Sequence, residues 1–129
     1  MNVIRLLSLS LVTPGRNEDL QIEIIERPSG VQLIKLSGPL TLRTLFEFQD
    51  AARRHAGALV IDTAGVPYMD SAGLGALIGI FASCQRTGQK FAISSVPERV
   101  HVLFEMTGIN GMLPCFPSID EAEVAVTST

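Results

Sequence analysis

Two runs of alternating apolar and polar residues near the start of the chain predict a β-hairpin. Residues 20–24 alternate strictly, Pro28-Ser29-Gly30 interrupts the pattern, and residues 31–36 resume it. A period of two is typical of strands with one buried face, and a Pro/Ser/Gly cluster is typical of a turn. We therefore expect two antiparallel strands joined by this turn.

Capping signatures and short apolar runs follow one another through the rest of the chain. Three segments have capping-box spacing and predict helix starts: Thr44-x-x-Glu47, Ser95-x-x-Glu98 and Ser118-x-x-Glu121. Between the predicted helices, residues 59–62, 91–94 and 113–116 read as strands. Strands separated by helices imply parallel crossovers. The pattern predicts an α/β fold, a mixed central β-sheet with its helices packed mainly on one face.

One further predicted helix opens at Asp70 or Ser71 and ends at Gly88. At about 100° per residue, its larger apolar residues form one stripe, which we expect to face the core: Leu74, Leu77, Ile78, Phe81 and Ala82. The opposite side carries small residues: Ala72, Ala76, Gly79 and Ser83. Gly75 and Gly79 each weaken a helix by up to about 1 kcal/mol, so close approach of another surface would explain them. That surface is either a neighbouring helix of the same chain or a binding partner.

Residues 1–19 are expected to form an N-terminal extension. Arg5 precedes a seven-residue apolar run, which superficially resembles a signal peptide. The run lacks a small-residue cleavage site and is far shorter than the roughly 20 residues that cross a membrane. We interpret it as an extra strand or docked arm that covers a sheet edge, although a dimer contact and occlusion of a site are alternatives.

Composition narrows the class of protein. The chain has 129 residues, of which 47% are hydrophobic and 18% charged, as expected for one compact domain. A net charge of −3, one Tyr and no Trp argue against direct nucleic-acid binding. Cys84 and Cys115 lie in apolar stretches without a CxxC motif, so we expect reduced thiols in or near the core and no metal or other cofactor.

Motifs of catalysis are missing around the most suggestive serine. Met69 stands two residues before Ser71, so the G-x-S-x-G nucleophile elbow is absent. His55 and His101, the two histidines of the chain, both have ordinary helix-surface explanations. The glycine spacing after Ser71 also fails the dinucleotide-binding and P-loop patterns. We predict that the protein is not an enzyme.

Ser71 has two explanations within the first turn of its helix. Its hydroxyl could serve as an N-cap that stabilises the helix by about 1 kcal/mol. It could equally accept a phosphate, because the first-turn N–H groups are unpaired and the macrodipole is positive there. Such a phosphate would add negative charge beside Asp70 without disrupting the fold.

Residues 60–62, 66–75 and 106–109 together resemble the STAS family, particularly its stand-alone anti-sigma-factor antagonists. The segments read V-I-D, V-P-Y-M-D-S-A-G-L-G and M-T-G-I, and the resemblance implies a STAS domain over residues 20–126. It implies a cytoplasmic partner-switching module that binds an anti-sigma factor with a histidine-kinase-like ATPase fold. That partner would phosphorylate Ser71 and a serine phosphatase would reverse the modification. The implied partner-binding residues are Thr41, Asp70, Ser71, Ala72, Gly73, Gly75, Ala76 and Gly79, and a homodimer is possible.

One position departs from the family pattern. The family usually has G-x-L-D near the end of its second core strand, whereas Thr41 follows Gly38-Pro39-Leu40 here. The change puts pairing with a kinase partner in question. The alternative function is a constitutive STAS subunit of a lipid-transport ABC system or a stress-sensing complex, in which Ser71 would be only a helix cap.

Overall fold

A computed structural model describes residues 4–8 and 19–128 of the chain. The predicted hairpin is present as β2 (Gln21–Glu26) and β3 (Gln32–Ser37), which pair in antiparallel fashion. Residues 4–8 form β1 (Ile4–Ser8), antiparallel to β2 at the edge of the sheet. That part of the N-terminal extension covers the edge of β2, as expected. The rest of the predicted arm, including Leu11 and Val12, lies outside the described residues.

Four helices and three more strands complete the α/β fold within the described residues. The strands are β4 (Leu59–Gly65), β5 (Phe91–Ser94) and β6 (Cys115–Phe116). The helices are α1 (Leu45–Arg53), α2 (Ser71–Thr87), α3 (Glu98–Met106) and α4 (Ile119–Thr127). The strands follow one another across the sheet in chain order, and β3 through β6 are parallel. The predicted mixed sheet is confirmed.

Alternate residues of the strands build two cores, one on each face of the sheet. Ile34, Ile61 and Ile93 point into the larger core, which contains buried residues of α1, α2 and α3. Val60 and Ala92 point into the smaller core beneath α4. Because side chains of a strand alternate between faces, buried strands such as β4 supply both cores. Three of the four described helices pack on one face, in agreement with the sequence-based expectation.

The three capping-box spacings have different outcomes. Ser118 caps α4 by accepting a hydrogen bond from the Glu121 amide at 3.1 Å, as predicted. Thr44 precedes α1, but its hydroxyl donates to the Pro39 carbonyl at 2.9 Å and accepts from the Thr41 amide instead. Ser95 has a φ of +59° and makes no cap, and α3 follows Pro97. The helix start predicted at Thr44 is therefore confirmed, although its side chain makes no cap bond. The start predicted at Ser95 is wrong, because α3 begins at Glu98.

Helix α2 faces the core at a different angle from the predicted one. Leu74 and Leu77 are buried as expected, whereas Ile78, Phe81 and Ala82 are only half-buried. Gly73, Ala76, Ile80 and Cys84 complete the buried face. The prediction that Ala76 lies opposite the core was wrong. Ala76 is only 4% exposed and belongs to the larger core, to which α1 also contributes buried residues. The small residues on the Ala76 side of α2 permit α1 to pack against it. The helical spacing of apolar residues alone could not predict this contact.

None of the helices within residues 19–128 combines the length and apolar character that crossing a membrane requires.

Candidate functional site

Asp70 and Ser71 lie where α2 begins, at the carboxyl end of the parallel strands. Asp70 is the N-cap, and its Oδ1 accepts a hydrogen bond from the Gly73 amide at 2.8 Å. Ser71 is therefore the first helical residue, and it is exposed to solvent. This arrangement resolves the alternative about the cap: the Asp70 carboxylate caps the helix, and the Ser71 hydroxyl is not needed for that purpose.

The loop between β3 and α1 runs beside this helix start. Leu40 forms an isolated parallel bridge with Met69, with its amide 3.2 Å from the Tyr68 carbonyl and its carbonyl 3.3 Å from the Asp70 amide. The second carboxylate oxygen of Asp70, Oδ2, accepts from the Leu42 amide at 3.1 Å. Thr41 lies between these two attachment points, so the fold brings it to the same end of the molecule as Ser71.

Gly73 permits the close approach of α2 to this loop. A Cβ added at Gly73 would lie 2.0 Å from the Leu40 carbonyl oxygen and 2.6 Å from its carbon, far inside contact distance. Gly73 is buried, so it supports the surface from beneath and does not form part of it. A glycine at this position is explained by packing within the chain.

Gly75 and Gly79 have a different explanation. Both are exposed, and a Cβ added to either would meet no atom within 4 Å. With Ser71 they stand four residues apart along one side of α2, so they share a face. We call the surface formed by Thr41, Leu42, Ser71, Ala72, Gly75 and Gly79 the α2 surface. Packing within the chain accounts for Gly73 and Ala76, whereas it does not account for Gly75 and Gly79, which face outward.

Exposed apolar side chains lie on the loop before α1, in the first turn of α1 and just before α2, and the sequence pattern did not mark them as site residues. Leu42 is 62% exposed and Phe46 is 65% exposed, and Tyr68 also reaches solvent. Leu42 enters the site through its bond to Asp70, a contact across 28 residues of sequence. The sequence did contain an indication that Phe46 is exposed. Phe46 and Phe48 stand two positions apart on a helix, so they cannot both face the core.

The other polar candidates do not assemble into a reactive site. His55 lies two residues beyond the end of α1 and is half-buried, so the helix-surface explanation is wrong for it. His101 lies on the surface of α3, 3.7 Å from Glu105. Asp62 is 2% exposed and accepts a hydrogen bond from the Ser94 hydroxyl at 2.8 Å, which ties β4 to β5. Among residues 19–128, no three His, Cys, Asp or Glu side chains are grouped so as to hold a metal ion.

The two cysteines are separate and reduced. Cys84 is buried in the core, as expected, but Cys115 is exposed on β6, so that part of the prediction was wrong. The reason is its position on a two-residue strand at the edge of the sheet. Desolvation raises the pKa of both thiols.

Comparison with known proteins agrees with this architecture. The family model described as the STAS domain matches residues 22–122. The anti-sigma F factor antagonist of Paenibacillus polymyxa is 31% identical over 103 residues, which cover 76% of this chain and 87% of the relative. The anti-sigma-B factor antagonist of Listeria monocytogenes is 29% identical over 99 residues, covering 74% and 87% respectively.

A solved structure shows the same fold. The crystal structure of an anti-sigma factor antagonist from Mycobacterium paratuberculosis has a TM-score of 0.75 and 23% identity, and the match covers 92% of this chain and all of that one. The family model spans most of the described chain, including β2 through β6 and the α2 surface. The chain belongs to the STAS domain family.

Proposed function

We propose that this protein is an anti-sigma-factor antagonist whose binding is controlled by phosphorylation of Ser71. The observation that carries the proposal is an exposed serine at the first position of α2, beside a stripe of helix that has no side chains at Gly75 and Gly79. The names of the two bacterial relatives support an anti-sigma factor as the partner. The proposed role is that of a binding module without catalysis of its own.

The bare side of α2 suits a closely approaching partner. Gly75 and Gly79 each leave the helix backbone open, and a second surface can therefore come nearer than it could to a helix covered with side chains. Leu42, whose amide is bonded to Asp70 at the start of α2, adds an exposed apolar side chain to this surface. Apolar contact area surrounding a close backbone approach is typical of protein interfaces.

The position of Ser71 suits a phosphate. The hydroxyl is free of the capping role because Asp70 performs it. In the proposed transfer, the γ-phosphoryl group of a nucleoside triphosphate moves to Ser71 Oγ, the nucleoside diphosphate leaves, and the hydroxyl proton passes to a base of the kinase. The product has a phosphate near unpaired N–H groups at the positive end of the helix, where the fold tolerates it.

The same phosphate opposes binding. It adds about −1.5 to −2 charges to a surface that carries the Asp70 carboxylate at its edge. A partner that covers Ser71 must then desolvate this charge or pair it, and an apolar contact surface does neither. Misplaced charge at an interface costs several kcal/mol, so we expect phosphorylation to weaken partner binding by about 100-fold or more.

The first experiment is peptide mass spectrometry of the protein isolated from its own cells under growth and stress. Trypsin releases residues 55–86 as one peptide because no Lys or Arg lies between Arg54 and Arg86. Phosphorylation adds about 80 Da, and fragmentation must assign it to Ser71 and not to Thr63, Tyr68 or Ser83 of the same peptide. A condition-dependent fraction at Ser71 supports the switch.

The second experiment compares partner binding of three variants with that of the unmodified protein. Ser71→Ala should bind and resist modification, and Ser71→Asp should fold normally and lose most of its binding. Ser128→Asp is the matched control, because it adds the same charge at the end of α4, on the other face of the sheet. If Ser71 is never modified and Ser71→Asp binds as tightly as Ser71→Ala, the protein is a constitutive subunit and the proposal fails.

A further inference from the structure

The Asp70 carboxylate is divided between two parts of the fold. Oδ1 holds the Gly73 amide in the first turn of α2, and Oδ2 holds the Leu42 amide in the loop before α1. Both oxygens therefore accept hydrogen bonds from backbone N–H groups of this chain, although Asp70 itself is exposed to solvent. A carboxylate used in this way fixes the geometry of the surface.

The two attachments differ in exposure. The Gly73 amide lies on a buried residue, and its bond to Asp70 is the shorter of the two at 2.8 Å. The Leu42 bond measures 3.1 Å and lies at the exposed surface, where water competes for the same N–H. If the carboxylate is displaced or rotated, the Leu42 bond is the one that opens first.

Ser71 directly follows Asp70, so a phosphate on it lies next to this carboxylate. The phosphate repels the carboxylate and competes with it for the same positive helix end. Backbone hydrogen bonds of Leu40 with Tyr68 and Asp70 hold the start of the loop whatever the carboxylate does. The part of the loop that depends on Asp70 is the segment at Leu42.

We propose that Asp70 is a positioning residue that transmits the modification state of Ser71 to the loop carrying Thr41 and Leu42. In the unmodified protein the carboxylate holds the Leu42 backbone against α2, which places its exposed side chain on the α2 surface. Phosphorylation releases that bond, so the partner loses an ordered apolar contact in addition to meeting a new charge. This inference rests on the proposed role of Ser71 as a phosphate acceptor.

The test measures solvent exchange of the Leu42 and Gly73 amides by NMR, without any partner. Four proteins are compared: unmodified, phosphoserine at position 71 installed during synthesis, Asp70→Asn, and Asp70→Asn with phosphoserine. Asn caps helices as well as Asp does, but its NH₂ group cannot accept from Leu42 when Oδ1 holds Gly73. The Leu59 amide, which bonds the Lys90 carbonyl at 3.0 Å, is the internal reference.

The expected result is non-additive. Loss of a hydrogen bond to a charged acceptor corresponds to roughly tenfold faster exchange or more. We expect this acceleration at Leu42 in the phosphoserine protein and in Asp70→Asn, with Gly73 still protected in both. Phosphoserine in the Asp70→Asn background should add less than about twofold, because the contact it acts through is already gone.

Two results overturn the inference. One is unchanged or slower Leu42 exchange in the phosphoserine protein, which means that the phosphate leaves the bond intact or takes over the N–H itself. The other is a full additional acceleration in the Asp70→Asn background, which means that the loop responds by another route. Asp70→Ser, which keeps a cap with a single oxygen, replaces Asp70→Asn if that variant does not fold.

Partner binding is measured separately on the same proteins. If Leu42 exchange responds as expected but phosphoserine leaves partner affinity unchanged, the positioning role stands and the proposed function fails. If affinity falls while Leu42 exchange is constant, the proposed function stands and the positioning role fails.

Discussion

Replacing Gly73 by alanine is the sharpest test of how α2 is seated. The added methyl group would lie 2.0 Å from the Leu40 carbonyl oxygen and 2.6 Å from the Leu40 carbonyl carbon. The obstacle is backbone, which cannot rotate away as the end of a flexible side chain can. The helix start must therefore move off the loop by more than an ångström. That movement lengthens the hydrogen bond from the Asp70 amide to the Leu40 carbonyl.

Two effects of opposite sign determine the size of the change. Alanine stabilises a helix by up to about 1 kcal/mol relative to glycine. Overpacking a well-packed site typically costs about 1–3 kcal/mol, and more where the backbone has to move. We expect Gly73→Ala to lower the free energy of unfolding by about 2 kcal/mol, which corresponds to a fall in Tm of roughly 8 °C.

Gly75 and Gly79 provide matched controls on the same helix. Their added methyl groups meet no atom within 4 Å, so only the gain in helix propensity remains. Each Gly→Ala change there should raise the unfolding free energy by about 0.5–1 kcal/mol. Urea denaturation followed by circular dichroism at 222 nm measures all three variants. A Gly73→Ala protein that is as stable as the Gly75→Ala protein would refute the account of α2 packing.

Three further predictions follow from the same structure. Gly79→Ala should weaken partner binding by about tenfold despite its higher stability, since it fills the bare side of α2; titration calorimetry with the purified partner measures this. Glu123→Gln should lower the free energy of unfolding, measured by urea denaturation, by about 1 kcal/mol, because it removes the half-buried ion pair with Arg27 of the hairpin turn. Asp120→Asn is the control: the Asp120 side chain is 91% exposed, so the change in unfolding free energy should stay within about 0.5 kcal/mol. In the folded protein, Cys115 should react with a thiol reagent quickly and Cys84 slowly, and both should react at similar rates in urea; equal rates in the folded state would contradict the burial of Cys84.

The strands were predictable because their pattern is determined locally. Alternation in residues 20–24 indicated one buried face, and the short turn before residues 31–36 favoured antiparallel pairing of the two strands. Strand β3 itself is buried on both faces, because Leu33 enters the smaller core and Ile34 the larger one. The end of β4 was harder to predict. The strand continues through Thr63 to Gly65, beyond the apolar run, because its pairing with the neighbouring strand β3 extends to Gly65, which stands opposite Ser37.

The capping boxes show why local spacing is not sufficient. Ser118 and Thr44 have the same spacing to a glutamate, but the Thr44 hydroxyl is taken by the carbonyl of Pro39. That partner comes from the preceding loop, and its position depends on the pairing of Leu40 with Met69 across the fold. A contact between residues so far apart in sequence cannot be predicted from the four residues of a capping box.

The candidate site was predictable in its helix and not in its loop. Asp70 and Ser71 were evident because a polar pair precedes an apolar helix, and the structure assigns the cap to Asp70. The orientation of α2 was ambiguous because nearly every position of the helix is apolar or small, so no single polar face defined the outside. The role of Leu42 depended on a contact with Asp70 that only the tertiary fold creates.

The placement of α4 has a practical consequence for experiments on this protein. The helix begins at the same end of the sheet as α2 but runs away from it on the opposite face, ending at Thr127. A fluorophore or a surface tether attached near Ser128 is therefore separated from Ser71 by both the thickness and the length of the sheet. Immobilising the protein through that end leaves the α2 surface facing the solution, so binding kinetics can be recorded without the attachment blocking the partner.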